Sequence, residues 1–397
     1  MNTLTKHVWA SKFPELGEGP VSVEPCISED YFEREKEQLF KKVWLKVGRV
    51  EEFPAAGSWK LKPMSIWDTT IIFVRGDDDH IRGFHNTCSH RGNSVIWAKS
   101  GRGKSRHFFC HFHGWTYDTM GQLVDVPQED EFLDSFKRCE NGLTPVAVEV
   151  WEGFVFANLE PNPVQSLASF LGEAGTRYSG FPFGEMTAVY SYRTVLNCNW
   201  KVAQDAFSEA YHVSTIHAGS FPDGFAAKIW DVELSGPHRS CAVYMTEQGP
   251  KPTPVAGIAH RLGTSSIAKR GARTELPPRI NPRRDPTFAF DLAVLFPNFL
   301  VHVMDGLYFT HQFEPIAVDK TLWEGIQYFR PPRNAGERFS HEYGQVLQRN
   351  AWLEDTATME ATHTALKSGA KKVMHLQDHE ILIRHSYKAV DEYINQA

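Results

Sequence analysis

Two short segments each place a thiol and an imidazole within a single turn: Cys88-Ser89-His90 and Cys110-His111-Phe112-His113. Brought together, two such turns would present two sulfurs and two nitrogens. Zinc fingers put paired cysteines before paired histidines. Alternating Cys-His and Cys-His suits instead a [2Fe–2S] centre in which two histidines replace two cysteines on one iron, raising its reduction potential so that it takes up an electron readily. Gly92 and Gly114 follow the two turns, where backbone must pass close to the cluster. A structural zinc site and four unrelated residues are the competing readings. Cys26, Cys139, Cys198 and Cys241 have no metal-type neighbour and read as small buried hydrophobes.

A second group lies in NWKVAQDAFSEAYHVSTIH. On a helix, Trp200, Ala203, Phe207 and Ala210 form an apolar stripe, and Lys201, Asp205, Glu209 and His212 the opposite, polar one. Periodicity alone allows a solvated face with a stray histidine. His217 follows His212 by five residues, about 140° around an ideal helix, so a straight helix would not converge them. Val213, Ser214, Thr215 and Ile216 are weak helix formers that can end or distort it there. Two imidazoles need one carboxylate to complete the open facial triad of a non-haem iron(II) site. Asp355 is the candidate. NAWLEDTATMEATHTALKSG reads as a helix whose inward stripe holds Trp352, Asp355, Met359 and Leu366. A carboxylate in that stripe is costly to bury alone, and a metal removes the cost. Glu354 is its rival, and a helix-surface aspartate is the plain alternative.

Other segments must hold these residues in place. Asp30, with Glu33 as a partial capping box, opens a helix that carries Phe32, Leu39, Phe40, Val43 and Trp44. From about Trp44 to Glu160, short β-rich runs are punctuated by Gly, Pro and Asp. Gly76-Asp77-Asp78-Asp79 and Met120-Gly121-Gln122 read as hairpin turns, and Pro161 and Pro163 mark the end of the region. The remainder alternates strands and helices without βαβ spacing, so the expected class is α+β with a mostly antiparallel sheet wrapped by helices. Residues 249–287 read as a long irregular excursion. Ile383, Tyr387, Val390 and Ile394 mark a last helix.

Composition excludes several classes. With 397 residues, 42% apolar and 23% charged, the chain suits a globular protein of two or three domains. A net charge of −6 gives no footprint of nucleic-acid binding. No apolar run is long enough for a transmembrane helix. The first residues lack an apolar core of signal-peptide type, so a reducing cytoplasm is expected.

CSHRG and CHFHGW resemble the Rieske fingerprint of the ring-hydroxylating oxygenase α subunits. The resemblance implies that Cys88 and Cys110 hold one iron and His90 and His113 the other. One departure is His111, where the family usually has Pro. NWK followed by acid-x2-His-x4-His, then Glu-Asp on a late helix, resembles the catalytic half of the same family. It implies His212, His217 and Asp355 as ligands of a mononuclear Fe(II). It also implies Glu209, where the family usually has Asp, as the carboxylate linking the Rieske histidine of one subunit to the iron histidine of its neighbour. Some members acting on quaternary ammonium compounds carry Glu there, and Asp205 is an alternative bridge. A route that crosses subunits implies a homotrimer, with or without a β subunit. The implied segments are 1–44, an N-terminal arm and helix packing on the catalytic domain; 45–165, a Rieske [2Fe–2S] domain; and 166–397, a catalytic mononuclear iron domain.

No GxGxxG follows a strand, and Gly101-Arg102-Gly103-Lys104-Ser105 fails the P-loop pattern because position 98 is Ala. Electrons from NAD(P)H must then arrive through a ferredoxin, a flavin reductase or both. Lys99, Arg102, Lys104 and Arg106 form a basic loop that either docks an acidic donor or is a solvated hairpin. The expected function is a terminal oxygenase that uses O2 to hydroxylate a hydrophobic, aromatic or polycyclic substrate. The alternatives are a monooxygenase or demethylase of quaternary ammonium or alkylamine compounds, and a Rieske electron carrier without oxygenase activity. Phe221, Phe225, Trp230 and the aromatic-rich 288–303 segment are candidates to line an apolar pocket, and the basic 261–284 stretch to cover it.

Overall fold

The structure, a computed structural model, describes residues 7–217, 219–220, 227–245, 253–263, 276–304 and 306–395. The chain divides into two units, residues 40–170, and residues 1–39 together with 171–397.

The 40–170 unit is built from short antiparallel strands: β1 (Leu45–Arg49), β2 (Ser58–Met64), β3 (Thr69–Arg75), β4 (Ile81–His85), β5 (Gly101–Lys104), β6 (His107–Phe109), β7 (Thr116–Asp118), β8 (Leu123–Asp125), β9 (Pro145–Trp151) and β10 (Phe154–Asn158). Seven form one sheet in the order β1-β10-β9-β4-β3-β2-β5, and β6-β7-β8 form a second. Gly76–His80 closes the β3–β4 hairpin, with the Gly76 N–H donating to His80 O at 2.8 Å. Gly121 sits at φ 78° between β7 and β8, and a Cβ there would lie 2.3 Å from the Phe84 ring. Only glycine meets both demands. Leu61, Ile72, Val74, Phe84, Trp115, Tyr117 and Leu123 form the core, and Cys88 and Cys110 are buried among them. The basic segment read as a loop is in part strand: β5 pairs with β2 at the sheet edge, all four of its residues exposed. Arg106, just beyond it, pairs with Asp77 at 3.3 Å.

The other unit holds an antiparallel sheet of β11 (Ala188–Leu196), β12 (Ala227–Ser235), β13 (His238–Met245), β14 (Phe288–Leu295), β15 (Phe299–Met304), β16 (Leu307–Ala317) and β17 (Lys320–Phe329), in the order β11-β17-β16-β15-β14-β13-β12. The edge strand β11 largely alternates between half-buried and exposed residues, whereas β15 is buried throughout, as expected of a central strand covered on both faces. Among this unit's described helices are α1 (Glu29–Arg34), α2 (Trp200–Asp205), α3 (Val213–Ile216), α4 (Pro254–Leu262), α5 (Ala335–Lys367) and α6 (Ile381–Asn395). The α+β class with antiparallel sheets is therefore what the chain adopts.

Several local expectations change. Ser28, not Asp30, caps α1, its Oγ accepting the Tyr31 N–H at 3.2 Å. Part of the 249–287 excursion is helical: Thr253 caps α4 and Pro254 occupies its first position. Residues 264–275 of the basic stretch lie outside the described residues, as do Phe221 and Phe225. Gly325 on β17 lets α5 approach the sheet, since a Cβ there would lie 2.8 Å from the Trp323 ring and 2.9 Å from the Trp352 ring.

Candidate metal centres

In the 40–170 unit, one turn geometry occurs twice. The Cys88 N–H donates to Asn93 O and the Gly92 N–H to Cys88 O; the Cys110 N–H donates to Trp115 O and the Gly114 N–H to Cys110 O. Gly92 and Gly114 have φ of 76° and 81°, the left-handed conformation such a turn requires. The turns bring His90 Nδ1 to 3.2 Å from His113 Nδ1. Both thiols are buried; Tyr117 Oη lies 3.2 Å from Cys88 Sγ, and the Asn93 amide donates to Cys110 Sγ at 3.9 Å. Burial, and next the facing His113, push His90 below the usual imidazole range, which favours the neutral form that can ligate a metal. Trp115 stacks on His90 at 5.0 Å and fixes its plane. His111 is turned away, packed between Trp97 and Phe109. Two buried thiols and two facing imidazoles are the donor set of a mixed Cys/His [2Fe–2S] centre. A cavity of about 330 Å³ beside Trp115, Phe132 and Glu131 gives access to the imidazoles.

In the other unit, the second group does not lie on one continuous helix. Asn199 caps α2 by accepting the Lys201 N–H at 3.0 Å. The helix ends at Asp205, and Val213–Ile216 form a separate turn flanked by His212 and His217. The break thus falls before the weak helix formers. Two side chains stabilise it: Ser208 Oγ donates to Gln204 O at 2.9 Å, and Glu209 accepts the backbone N–H groups of Tyr211 and His212. This break brings His212 and His217 to the same side, which an unbroken helix could not do. The polar stripe of α2 is not solvated either. Lys201 is buried against Glu35 at 2.5 Å, and the Trp200 indole donates to the same carboxylate at 3.1 Å.

His212, His217 and Asp355 each offer one ligand atom, all within 4.8 Å of one another. Asp355 Oδ1 lies 3.4 Å from His212 Nε2 and 3.3 Å from His217 Nε2. The other ring nitrogens are both engaged: His212 Nδ1 by Glu209, and His217 Nδ1 by Glu354 at 2.9 Å. Each carboxylate accepts an Nδ1–H, so the acceptor lone pair of each ring lies on Nε2, the nitrogen that faces Asp355. This is the carboxylate–histidine–metal arrangement. Glu354, the rival for Asp355, is thus directed at a histidine ring and not into the triad, a role that spacing alone did not reveal.

Asp355 Oδ1 is buried without a hydrogen-bond partner, and burial pushes its carboxyl up to about 7. His212 draws it down while Glu209 and Glu354 draw it up. Such a group is costly alone and is satisfied by a cation. Burial lowers His212, but its bond to Glu209 and the charges of Glu209 and Asp355 raise it above the usual range. Two imidazoles and one buried carboxylate, backed by the carboxylates of Glu209 and Glu354, fit a divalent metal.

Asp205 stands apart from the triad. The Tyr387 hydroxyl donates to its Oδ2 at 2.9 Å and also meets Cys26 Sγ at 3.0 Å, while Oδ1 has no partner. Burial raises its pKa from 3.8 to about 7, against the Tyr387 bond and the pull of Arg239 and Lys201. The folded chain therefore binds this proton more tightly than the unfolded one. Its contribution favours folding below about pH 4, is lost as pH climbs towards 7, and then levels off, amounting to on the order of 4 kcal/mol. Asp205→Asn should flatten that slope. Urea midpoints at pH 5 and pH 8 read the effect, and an unchanged difference between them would refute it.

Two family models match the chain: the ring-hydroxylating α subunit catalytic domain over residues 183–396, and the Rieske [2Fe–2S] domain over residues 43–146. The α subunit of 2-aminobenzenesulfonate 2,3-dioxygenase from Alcaligenes sp. is 35% identical over 188 residues, 46% of either chain. The α subunit of biphenyl 2,3-dioxygenase from Rhodococcus jostii is 34% identical over 207 residues, 49% of this chain and 44% of that one. The matched stretch thus spans a little under half the length of these relatives. Among solved structures, a quaternary ammonium Rieske monooxygenase superposes with a TM-score of 0.74 at 21% identity, over 94% of this chain and 95% of that one. Naphthalene 1,2-dioxygenase from Rhodococcus sp. gives 0.69 at 20% identity, over 97% and 96%. These likenesses extend the fold over nearly the whole chain. With a Rieske domain followed by the matching catalytic domain, the chain belongs to the ring-hydroxylating oxygenase α-subunit family.

Proposed function

We propose that this chain is the terminal oxygenase of a multicomponent Rieske system. The observation that carries the reading is the convergence of His212, His217 and Asp355, with both imidazoles oriented by carboxylates. A Rieske electron carrier has no use for such a triad. Cys88, His90, Cys110 and His113 would hold the [2Fe–2S] cluster, and the triad the Fe(II). Bound there, the metals would supply single electrons and an open site for O2.

The chain's own residues prepare the triad. Glu209 and Glu354 fix the tautomers by holding protons at Nδ1 of His212 and His217. Asp355 adds negative charge in a buried setting. The curated relatives are dioxygenases named for aromatic substrates, which supports an aromatic or polycyclic substrate here. Electrons would come from NAD(P)H through a ferredoxin, a flavin reductase or both. A homotrimer would let Glu209 link the triad of one chain to the Rieske histidine of the next. No described helix is long and apolar enough to cross a membrane, in keeping with a cytoplasmic setting.

Iron and acid-labile sulfide analysis of the purified holoprotein tests the reading. About three irons and two sulfides per chain are expected, from one two-iron cluster and one mononuclear site. About two irons with two sulfides would instead mark an electron carrier.

A further inference from the structure

The sheet face beneath α5 is not uniformly apolar. In the β15–β16 register His302 pairs with Phe309 and Leu300 with His311, so both histidines stand on one face. Both rings are buried, 3% and 0% exposed, and meet edge to face with centroids 5.2 Å apart. The Trp323 indole donates to His311 Nδ1 at 3.0 Å. Because an indole nitrogen only donates, Nδ1 is the acceptor and a neutral His311 carries its proton on Nε2. That Nε2–H, and both ring nitrogens of His302, have no hydrogen-bond partner. Burial lowers His302 to about 3 and His311 well below the usual range, so both rings are neutral.

The pair borders the elements that carry the triad. Phe207, two residues before Glu209, stacks on His311 at 4.1 Å. Trp352, one turn before Asp355 on α5, meets His311 edge-on at 4.8 Å. Two turns before Trp352, Gln345 Oε1 is also buried without a partner. Buried polar groups are costly unless something meets them, and a pocket for a pure hydrocarbon would have Leu or Phe at these positions.

We propose that the His311 Nε2–H and His302 form a polar floor of the substrate site and take an uncharged oxygen acceptor, a carbonyl, ether or hydroxyl oxygen, on an otherwise apolar substrate. This rests on the oxygenase reading above and narrows its substrate class. A neutral pair offers no counter-charge to a carboxylate, and it has nothing to give a quaternary ammonium group.

The test uses the holoprotein and two near-isosteric probes, acetophenone (C=O) and α-methylstyrene (C=CH2). Binding is read by tryptophan fluorescence, since Trp323 and Trp352 flank His311. Acetophenone should bind about tenfold more tightly, the effect of one buried neutral hydrogen bond. His311→Phe should remove the preference by weakening acetophenone alone, and His311→Gln, which restores an N–H donor, should retain much of it. Should the Phe variant misfold, His302→Leu provides a second test and should also weaken acetophenone selectively. Equal affinities in the unaltered protein, a preference that survives these substitutions, or no binding of either probe would overturn the floor. Iron content of the same samples separates the two ideas: three irons without a preference overturns the floor alone, whereas two irons overturns the oxygenase reading.

Discussion

Asp355→Ala is expected to release the third iron, abolish O2-dependent turnover, and leave the visible spectrum and two sulfides of the Rieske centre intact. Losing only an outer partner of a metal ligand costs about 10–100-fold in affinity or activity, so losing a ligand should exceed a hundredfold. The side chain is buried, and its Oδ1 faces both imidazole Nε2 atoms with no other partner. Without metal, that carboxyl is a liability, which predicts opposite effects on the two forms. The metal-free variant should be no less stable than the metal-free parent, because a costly buried group has been removed. The parent should gain thermal stability on adding Fe(II), and the variant should not, since a ligand stabilises only the state it binds. Iron analysis and melting with and without Fe(II) read both effects. Three irons in the variant would move the third ligand elsewhere, with Glu354 the first candidate.

Much of this arrangement was legible because it rests on local spacing. Each Cys-x-His or Cys-x2-His turn with a following glycine is a contiguous unit, and the structure forms both as near copies. Asp355 could be chosen because Trp352 and Met359 mark the buried side of one helix, and helical period carries that information. The break after Asp205 was not legible. It depends on side chains of Ser208 and Glu209 returning to the backbone, where such bonds compete with the helical ladder. Nor could periodicity show that Lys201 is buried, since its partner Glu35 is 166 residues away. The same holds for His302 and His311, whose shared face follows from strand register. A one-residue slip would have put them on opposite faces.

Glu209 has two roles that substitution can separate. Its carboxylate accepts the backbone N–H groups of Tyr211 and His212, holding the break that aligns the triad, and it also faces His212 Nδ1. In Glu209→Gln the amide carbonyl could keep the backbone bonds, but the amide NH2 would oppose the His212 Nδ1–H, donor against donor. This variant should therefore retain three irons and near-parental stability while coupled, substrate-dependent O2 uptake falls by about a hundredfold, the upper range for a lost outer-shell carboxylate. Glu209→Ala loses both roles, so its third iron should also become labile. Glu209→Asp keeps the charge with a shorter reach and should recover part of the rate. If Glu209 only held the break, Glu209→Gln would turn over at the parental rate and the proposed link between centres would fall. If Glu209→Gln instead loses iron as readily as Glu209→Ala, the residue serves the triad alone, and the link between chains must run through another group.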